Sequence, residues 1–288
     1  MIVIADGGST TCEWMIIDPD RSTSRMKTIR GINPYHFTSE DIRTELSHLG
    51  WGDELVDEVD EVYFFGAGCG PGAGSQIMGS ILKDFFVDAA HIHVSGDIEA
   101  AVYATASSPA VVGILGTGSH ACFYHRDGIQ IRIPALGHHI LDYGSGSMIG
   151  RELLRSFFLG KLPQMLHAEL QATYPLEEAV VKEELYQDSK SASAYLAGFA
   201  RFVIERKEHP SMNRILEHVF QLYLDDILGA YREELMNYPV HLVGSIAYHC
   251  KEKLSSMMAT RNYQLGVVID RPINGMKDNI DYIREVCR

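Results

Sequence analysis

Asp6-Gly7-Gly8-Ser9-Thr10-Thr11 places a carboxylate, two glycines and three hydroxyls in one run, directly after the apolar stretch Met1 to Ala5. In a hairpin turn, glycines let the backbone approach a ligand closely and successive N–H groups can cradle phosphate oxygens. A carboxylate at the strand end can hold a hydrated Mg²⁺. The same run also suits an ordinary hairpin turn, since Gly, Ser and Thr favour turns. A second run, Gly116-Thr117-Gly118-Ser119, follows a second apolar stretch, Ala110 to Leu115. Two such turns, facing each other across a cleft, can clamp one polyphosphate. Candidate phosphate contacts are therefore Gly8, Ser9, Thr10 and Thr11 in the first turn and Gly116, Thr117, Gly118 and Ser119 in the second, with Asp6 as the candidate Mg²⁺ holder.

Three further residues carry usable chemistry. Asp97 follows the short apolar segment His91 to Val94 and opens an Ala-rich helical segment. A helix-start aspartate is commonly a cap, but such a carboxylate can also accept the proton of a sugar hydroxyl as that oxygen attacks a γ-phosphate. Asp142 also precedes a helical segment and has the same two readings. Asn33, in Gly31-Ile32-Asn33-Pro34, suits a turn, while its amide also suits sugar hydroxyls.

Other signals are decoys or are missing from the sequence. Gly68-Cys69-Gly70-Pro71-Gly72-Ala73 and Gly116-Thr117-Gly118-Ser119-His120-Ala121 both satisfy G-x-G-x-x-G/A. The second runs from strand to strand and lacks a helix N-terminus for a pyrophosphate, while the first fits a loop shaping a pocket wall. The sequence contains no Walker-type phosphate loop, no H-E-x-x-H and no G-x-S-x-G elbow.

The elements that must position these residues repeat. The first part reads βββαβαβα: strands Met1 to Ala5, Cys12 to Ile17 and Arg25 to Arg30, a helix from Ser39 as N-cap, a strand Glu61 to Phe65, a helix Ser75 to Phe86, a strand His91 to Val94 and a helix Asp97 to Ala106. A second meander follows Ser107-Ser108-Pro109, with strands Ala110 to Leu115, His120 to Tyr124 and Ile129 to Ile133. Helices are expected over 146–158, 163–173, 176–187, 192–205 and, as one long helix, 211–236. The chain then reads as a strand Val240 to Val243, a helix 246–258, a strand Leu265 to Ile269 and a last helix 277–286. The expected domains are 1–108 and 109–288, the second with a helical insertion, with a hinge near 107–110 and the last helix free to pack back on the first domain.

Composition bounds the function. With 288 residues, 46% hydrophobic and 22% charged, the chain is long enough for two globular domains. The net charge of −13 opposes phosphate-backbone binding as the main activity, so no nucleic-acid partner is expected. Cys12, Cys69, Cys122, Cys250 and Cys287 form no C-x-x-C pair and read as free buried thiols. The opening Met-Ile-Val-Ile-Ala-Asp has no basic region and apolar runs are short, so a cytoplasmic protein with no membrane partner is expected.

Ala5 to Thr11 resembles the first phosphate motif of the actin and hexokinase superfamily, and Leu115 to Ser119 resembles its second. Gly137-His138-His139-Ile140-Leu141-Asp142-Tyr143-Gly144-Ser145-Gly146 resembles the G-H-x-x-x-D-E-G-S stretch of N-acetylglucosamine kinases in the BadF/BadG-type ATPase group, and Val243-Gly244-Ser245-Ile246-Ala247 resembles that family's adenosine motif. The resemblance implies an α/β protein of two ribonuclease-H-like, actin-like ATPase domains with a cleft between them. It would transfer the γ-phosphoryl group of Mg²⁺-ATP to the 6-hydroxyl of N-acetylglucosamine. Thr10 and Thr117 would then contact phosphates with their neighbouring glycines, and Gly244 and Ser245 would lie by the nucleoside. Asp6 would orient Mg²⁺ through water, Asn33, Gly137 and Asp142 would bind the sugar, and Asp97 would be the general base. The partners implied are a small-molecule sugar and ATP, with a homodimer allowed.

Two departures fall on the sugar side: Pro134-Ala135-Leu136-Gly137 stands where the family has Gly-Gly-Trp-Gly, and Tyr143 stands where it has Glu. Another amino sugar or sugar derivative therefore stays open as acceptor. Two alternative functions also follow from the resemblance. One is an ATPase that activates an iron-sulfur dehydratase or reductase, and the other is a sugar or nucleotide sensor without turnover.

Overall fold

The apolar residues of β1 (Ile2–Gly7) have no solvent-facing side, as expected of a strand covered by helices on both faces. In the computed structural model, which describes residues 1–8, 10–18, 20, 24–105, 108–125, 127–186 and 192–288, this strand is central in the first of two units. Unit 1 comprises Met1–Ser107 with Arg271–Arg288, and unit 2 comprises Ser108–Asp270. The chain thus enters unit 2 next to the expected boundary and returns to unit 1 for its last helices.

In unit 1, β1 pairs antiparallel with β2 (Thr11–Ile17), which pairs antiparallel with β3 (Ser24–Arg30). On its other side β1 runs parallel to β4 (Glu61–Gly66), and β4 runs parallel to β5 (His91–Gly96). One face buries Val3, Ala5, Trp14, Val62 and Phe64 with Ile42, Leu46, Met78 and Leu82 of the helices Ser39–Ser47 and Ala73–Phe85. Helices Asp97–Thr105 and Pro272–Asp278 lie together against β1, and the buried Glu61 binds the final helix, Ile280–Val286. Its carboxylate accepts two hydrogen bonds from Arg284 at 2.7 and 2.9 Å and one each from Arg288 at 2.5 Å and Tyr63 at 2.7 Å.

Unit 2 repeats the plan. Its strand order is β10-β9-β6-β7-β8, from β6 (Ala110–Leu115), β7 (Ser119–His125), β8 (Gly128–Gln130), β9 (Val240–Val243) and β10 (Leu265–Ile269). As in unit 1, the opening strand is antiparallel to the second and parallel to the fourth. Helices from Gly146–Phe158 onward pack on it, with Leu153, Leu216, Phe220 and Tyr223 in one core.

Several elements differ from the sequence expectation. β8 stops at Gln130 because Arg132 leaves the sheet: its N–H donates to Tyr231 Oη at 2.9 Å and its guanidinium pairs with Glu234. The long helix expected over 211–236 is Pro210–Leu222, a π turn Tyr223–Ile227, a 3₁₀ turn Leu228–Tyr231 and a short helix Arg232–Leu235. Two tyrosines pin it to the sheet, Tyr223 Oη donating to His120 O at 3.3 Å and Tyr231 Oη to Ala121 O at 2.9 Å. The span 192–205 breaks at Phe199, and 246–258 breaks at Cys250. The last helical region begins at Pro272, not 277, since Pro fits a first helical turn. The first helix is capped by Thr38, not Ser39, through a reciprocal box with Asp41. The short helix Asp53–Asp57 carries no sequence expectation. Of the expected boundary residues, Ala106, Ser107 and Gln187 lie outside the described residues. All five cysteines are free and buried.

Candidate functional site

In unit 1 the sheet register aligns Gly7, Gly66 and Gly96 in one row at the carboxyl ends of three parallel strands. Such strand ends are where open α/β sheets bind ligands. The row has no side chains partly because Phe64 fills the space: a Cβ on Gly66 would stand 2.5 Å from its ring. Asp6 lies just before this row on β1, and Asp97 follows Gly96 directly as the first residue of its helix. Both are half-buried. Burial, and secondly the charge of Asp97, push the Asp6 carboxyl up to about 7 against the opposing pull of Arg271. Two carboxylates that raise each other's cost of ionisation favour either a shared proton or a cation between them. The Asp6 carboxylate suits a hydrated Mg²⁺, which takes one or two carboxylates and keeps several waters.

Arg271 is the functional candidate that the sequence reading missed. It pairs with the buried Glu13, the cross-strand partner of Asp6. No local signal marks it, since Asp270-Arg271-Pro272 reads only as the lead into a helix and its partner is distant in sequence.

The rest of the first turn is more open. Gly8 is half-buried and Thr10 and Thr11 are exposed, with Thr10 O accepting from Gly31 N at 2.9 Å, while Ser9 lies outside the described residues. Asn33 forms the expected turn: its Oδ1 accepts from Tyr35 N at 3.0 Å, and its backbone O accepts from His36 and Phe37. Its side chain rests against Gly68 in the glycine-dense loop, where any Cβ would strike Oδ1. The structure therefore brings Asn33 to the loop that leaves β4, and Nδ2 is its remaining donor.

In unit 2 the turn Gly116–Gly118 closes on itself, Gly116 N donating to Gly118 O at 3.0 Å. Gly146 N donates to Gly116 O at 2.8 Å and Ser147 N to Thr117 O at 3.1 Å. Ser145 Oγ caps the helix Gly146–Phe158 through Met148 N at 3.2 Å. Asp142 is buried with φ 63°, and its Oδ1 accepts from Ser119 N at 3.2 Å. Ser119 Oγ is buried without a hydrogen-bond partner among the described residues. Gly244 stands against the start of the same turn, since a Cβ there would lie 2.5 Å from Leu115 O, and exposed Ser245 opens the next helix. Gly137 turns the loop before Asp142, its O accepting from Ile140 N at 3.2 Å and Leu141 N at 2.9 Å, and Arg151 Nη1 donates to His138 O at 2.9 Å. Unit 2 thus gathers Gly116, Thr117, Gly118, Ser119, Asp142 and Gly244, while unit 1 gathers Asp6 and Asp97. No helix among the described residues is long and apolar enough to cross a membrane.

No protein-family profile matches the chain, and no curated protein matches it by sequence. Among solved structures it is similar to a candidate N-acetylglucosamine kinase of Porphyromonas gingivalis, with TM-score 0.89 and 29% identity over 99% of this chain and 100% of that one. It shares its fold with a candidate N-acetylglucosamine kinase of Chromobacterium violaceum, with TM-score 0.62, 15% identity and coverage of 97% and 98%. It also shares it with a ROK family glucokinase of Streptomyces griseus solved with glucose and AMPPNP, with TM-score 0.60, 12% identity and 99% of each chain. All three likenesses agree with the α/β plan, and the first also agrees with the family resemblance read from the motifs.

Proposed function

We propose that the protein is an ATP-dependent sugar kinase, a phosphotransferase with an alcohol acceptor, and that its acceptor is the 6-hydroxyl of N-acetylglucosamine. The observation that carries the proposal is the Asp6–Asp97 pair at the carboxyl ends of the parallel strands of unit 1, in a chain similar over 99% of its length to a candidate kinase of this kind. Asp97 accepts the hydroxyl proton as the sugar oxygen attacks the γ-phosphorus, and the bond from that phosphorus to the β–γ bridging oxygen breaks to release ADP. Asp6 would hold a Mg²⁺ ion through water, and that ion would neutralise phosphate charge. The N–H groups and hydroxyls of Gly8, Ser9, Thr10 and Thr11, and of Gly116, Thr117, Gly118 and Ser119, take phosphate oxygens. Gly244 and Ser245 border the nucleoside, while Asn33 and Gly137 border the sugar. Positioning and charge neutralisation supply most of the rate, because phosphoryl transfer asks little covalent chemistry of the protein.

Burial of all five cysteines favours the kinase over an iron-sulfur activator, because a cluster needs cysteines that can reach it. The test is a coupled ADP-release assay with Mg²⁺-ATP against N-acetylglucosamine, N-acetylmannosamine, glucosamine and glucose. Turnover on N-acetylglucosamine is expected. Turnover on another sugar alone would move the specificity, and no sugar-stimulated release would refute the kinase proposal.

A further inference from the structure

The carboxylate of Asp142 is committed inside unit 2. Its residue is 8% exposed and holds φ 63°, a left-handed conformation that Asp and Asn tolerate better than most non-glycine residues. Oδ1 accepts the Ser119 N–H at 3.2 Å, and a Cβ built on Gly118 would lie 3.0 Å from Oδ2. The side chain therefore sits against the last two residues of the turn region Gly116–Ser119. The segment that carries Asp142 grips the same turn twice more, through Gly146 N to Gly116 O and Ser147 N to Thr117 O. Arg151 ties the preceding loop to the same helix through His138 O. Turn, loop and helix start thus form one hydrogen-bonded block.

We propose that Asp142 is a positioning residue for the second phosphate-binding turn. A turn held before its ligand arrives loses less conformational entropy on binding, so the carboxylate strengthens nucleotide binding without touching the nucleotide. Its acceptor oxygen does the positioning, while its negative charge beside a phosphate site opposes the ligand. This inference rests on the kinase proposal only for what the turn binds.

The test uses the full chain as wild type, Asp142→Asn and Asp142→Ala. Mg²⁺-ADP is titrated calorimetrically without sugar. Asn keeps the acceptor oxygen and tolerates the positive φ, so Asp142→Asn should bind Mg²⁺-ADP as tightly as wild type or tighter. Asp142→Ala should bind about tenfold more weakly, the size of one lost hydrogen bond to a buried group. Unchanged ADP affinity in Asp142→Ala, or an Asp142→Asn that binds Mg²⁺-ADP as weakly as Asp142→Ala, would overturn the inference. A wild type that binds Mg²⁺-ADP but phosphorylates no sugar would refute the kinase proposal alone, since the ADP titration reads the turn without sugar.

Discussion

Gly244→Ala and Gly128→Ala make a matched pair because both glycines hold similar backbone angles, φ 113° and φ 118°, in different surroundings. A Cβ on Gly244 would stand 2.5 Å from Leu115 O and 2.8 Å from Leu115 C, whereas one on Gly128 meets nothing within 4 Å. An L-residue in such a conformation costs on the order of 1–3 kcal/mol, and this term is common to both variants. Forcing atoms into filled space adds about 1–3 kcal/mol, and here the obstacle is backbone that cannot rotate away. Gly128→Ala should therefore lose about 1–3 kcal/mol and Gly244→Ala about 2–6 kcal/mol. Urea unfolding followed by far-UV circular dichroism measures both losses. Tryptophan fluorescence is the internal control, because Trp14 and Trp51 both lie in unit 1 and both glycines lie in unit 2. Unit 2 should unfold earlier by circular dichroism while the fluorescence transition stays close to that of the wild type. Because the clash falls on the residue that leads into Gly116, Gly244→Ala should also weaken Mg²⁺-ADP binding. Equal stability losses in the two variants would show that the packing of Gly244 on the turn contributes nothing.

Asp97→Asn should lower kcat by about 10²–10⁴-fold with Mg²⁺-ADP affinity nearly intact, as expected for loss of a general base, and normal turnover would remove that role from Asp97. Glu61 gives a pH signature: burial pushes its carboxyl up, but hydrogen bonds from Arg284, Tyr63 and Arg288 outweigh this and draw it down from 4.5 to about 2. A lowered carboxyl stabilises the fold above its unfolded value and loses that contribution as pH falls through the folded one, so unit 1 should weaken between about pH 4.5 and 2. Glu61→Gln should be less stable at neutral pH and lack that acid-dependent part, and a wild-type pH profile in the variant would rule out the Arg284–Glu61 anchor.

The duplicated plan and the placement of its turns were legible in the order of residue types alone. β1, β2, β6 and β9 are short β-rich apolar runs bounded by glycine and hydroxyl residues, and runs of this kind have few alternatives to buried strands. Asp6, Asp97 and the two turns were legible because each sits at a strand end, where local chemistry and element boundary coincide. The tertiary structure alone decided what depends on distant partners. Arg271 and Glu13 meet only because the chain returns to unit 1 after completing unit 2. The helix over 211–236 changes its winding where Tyr223 and Tyr231 reach carbonyls of β7, and hydrophobic periodicity carries no information about that long-range bond. The carboxylate of Asp142 likewise meets Ser119, more than twenty residues before it, only in the folded chain. Sequence reports the chemistry a side chain can offer, whereas the fold decides which distant donor meets it.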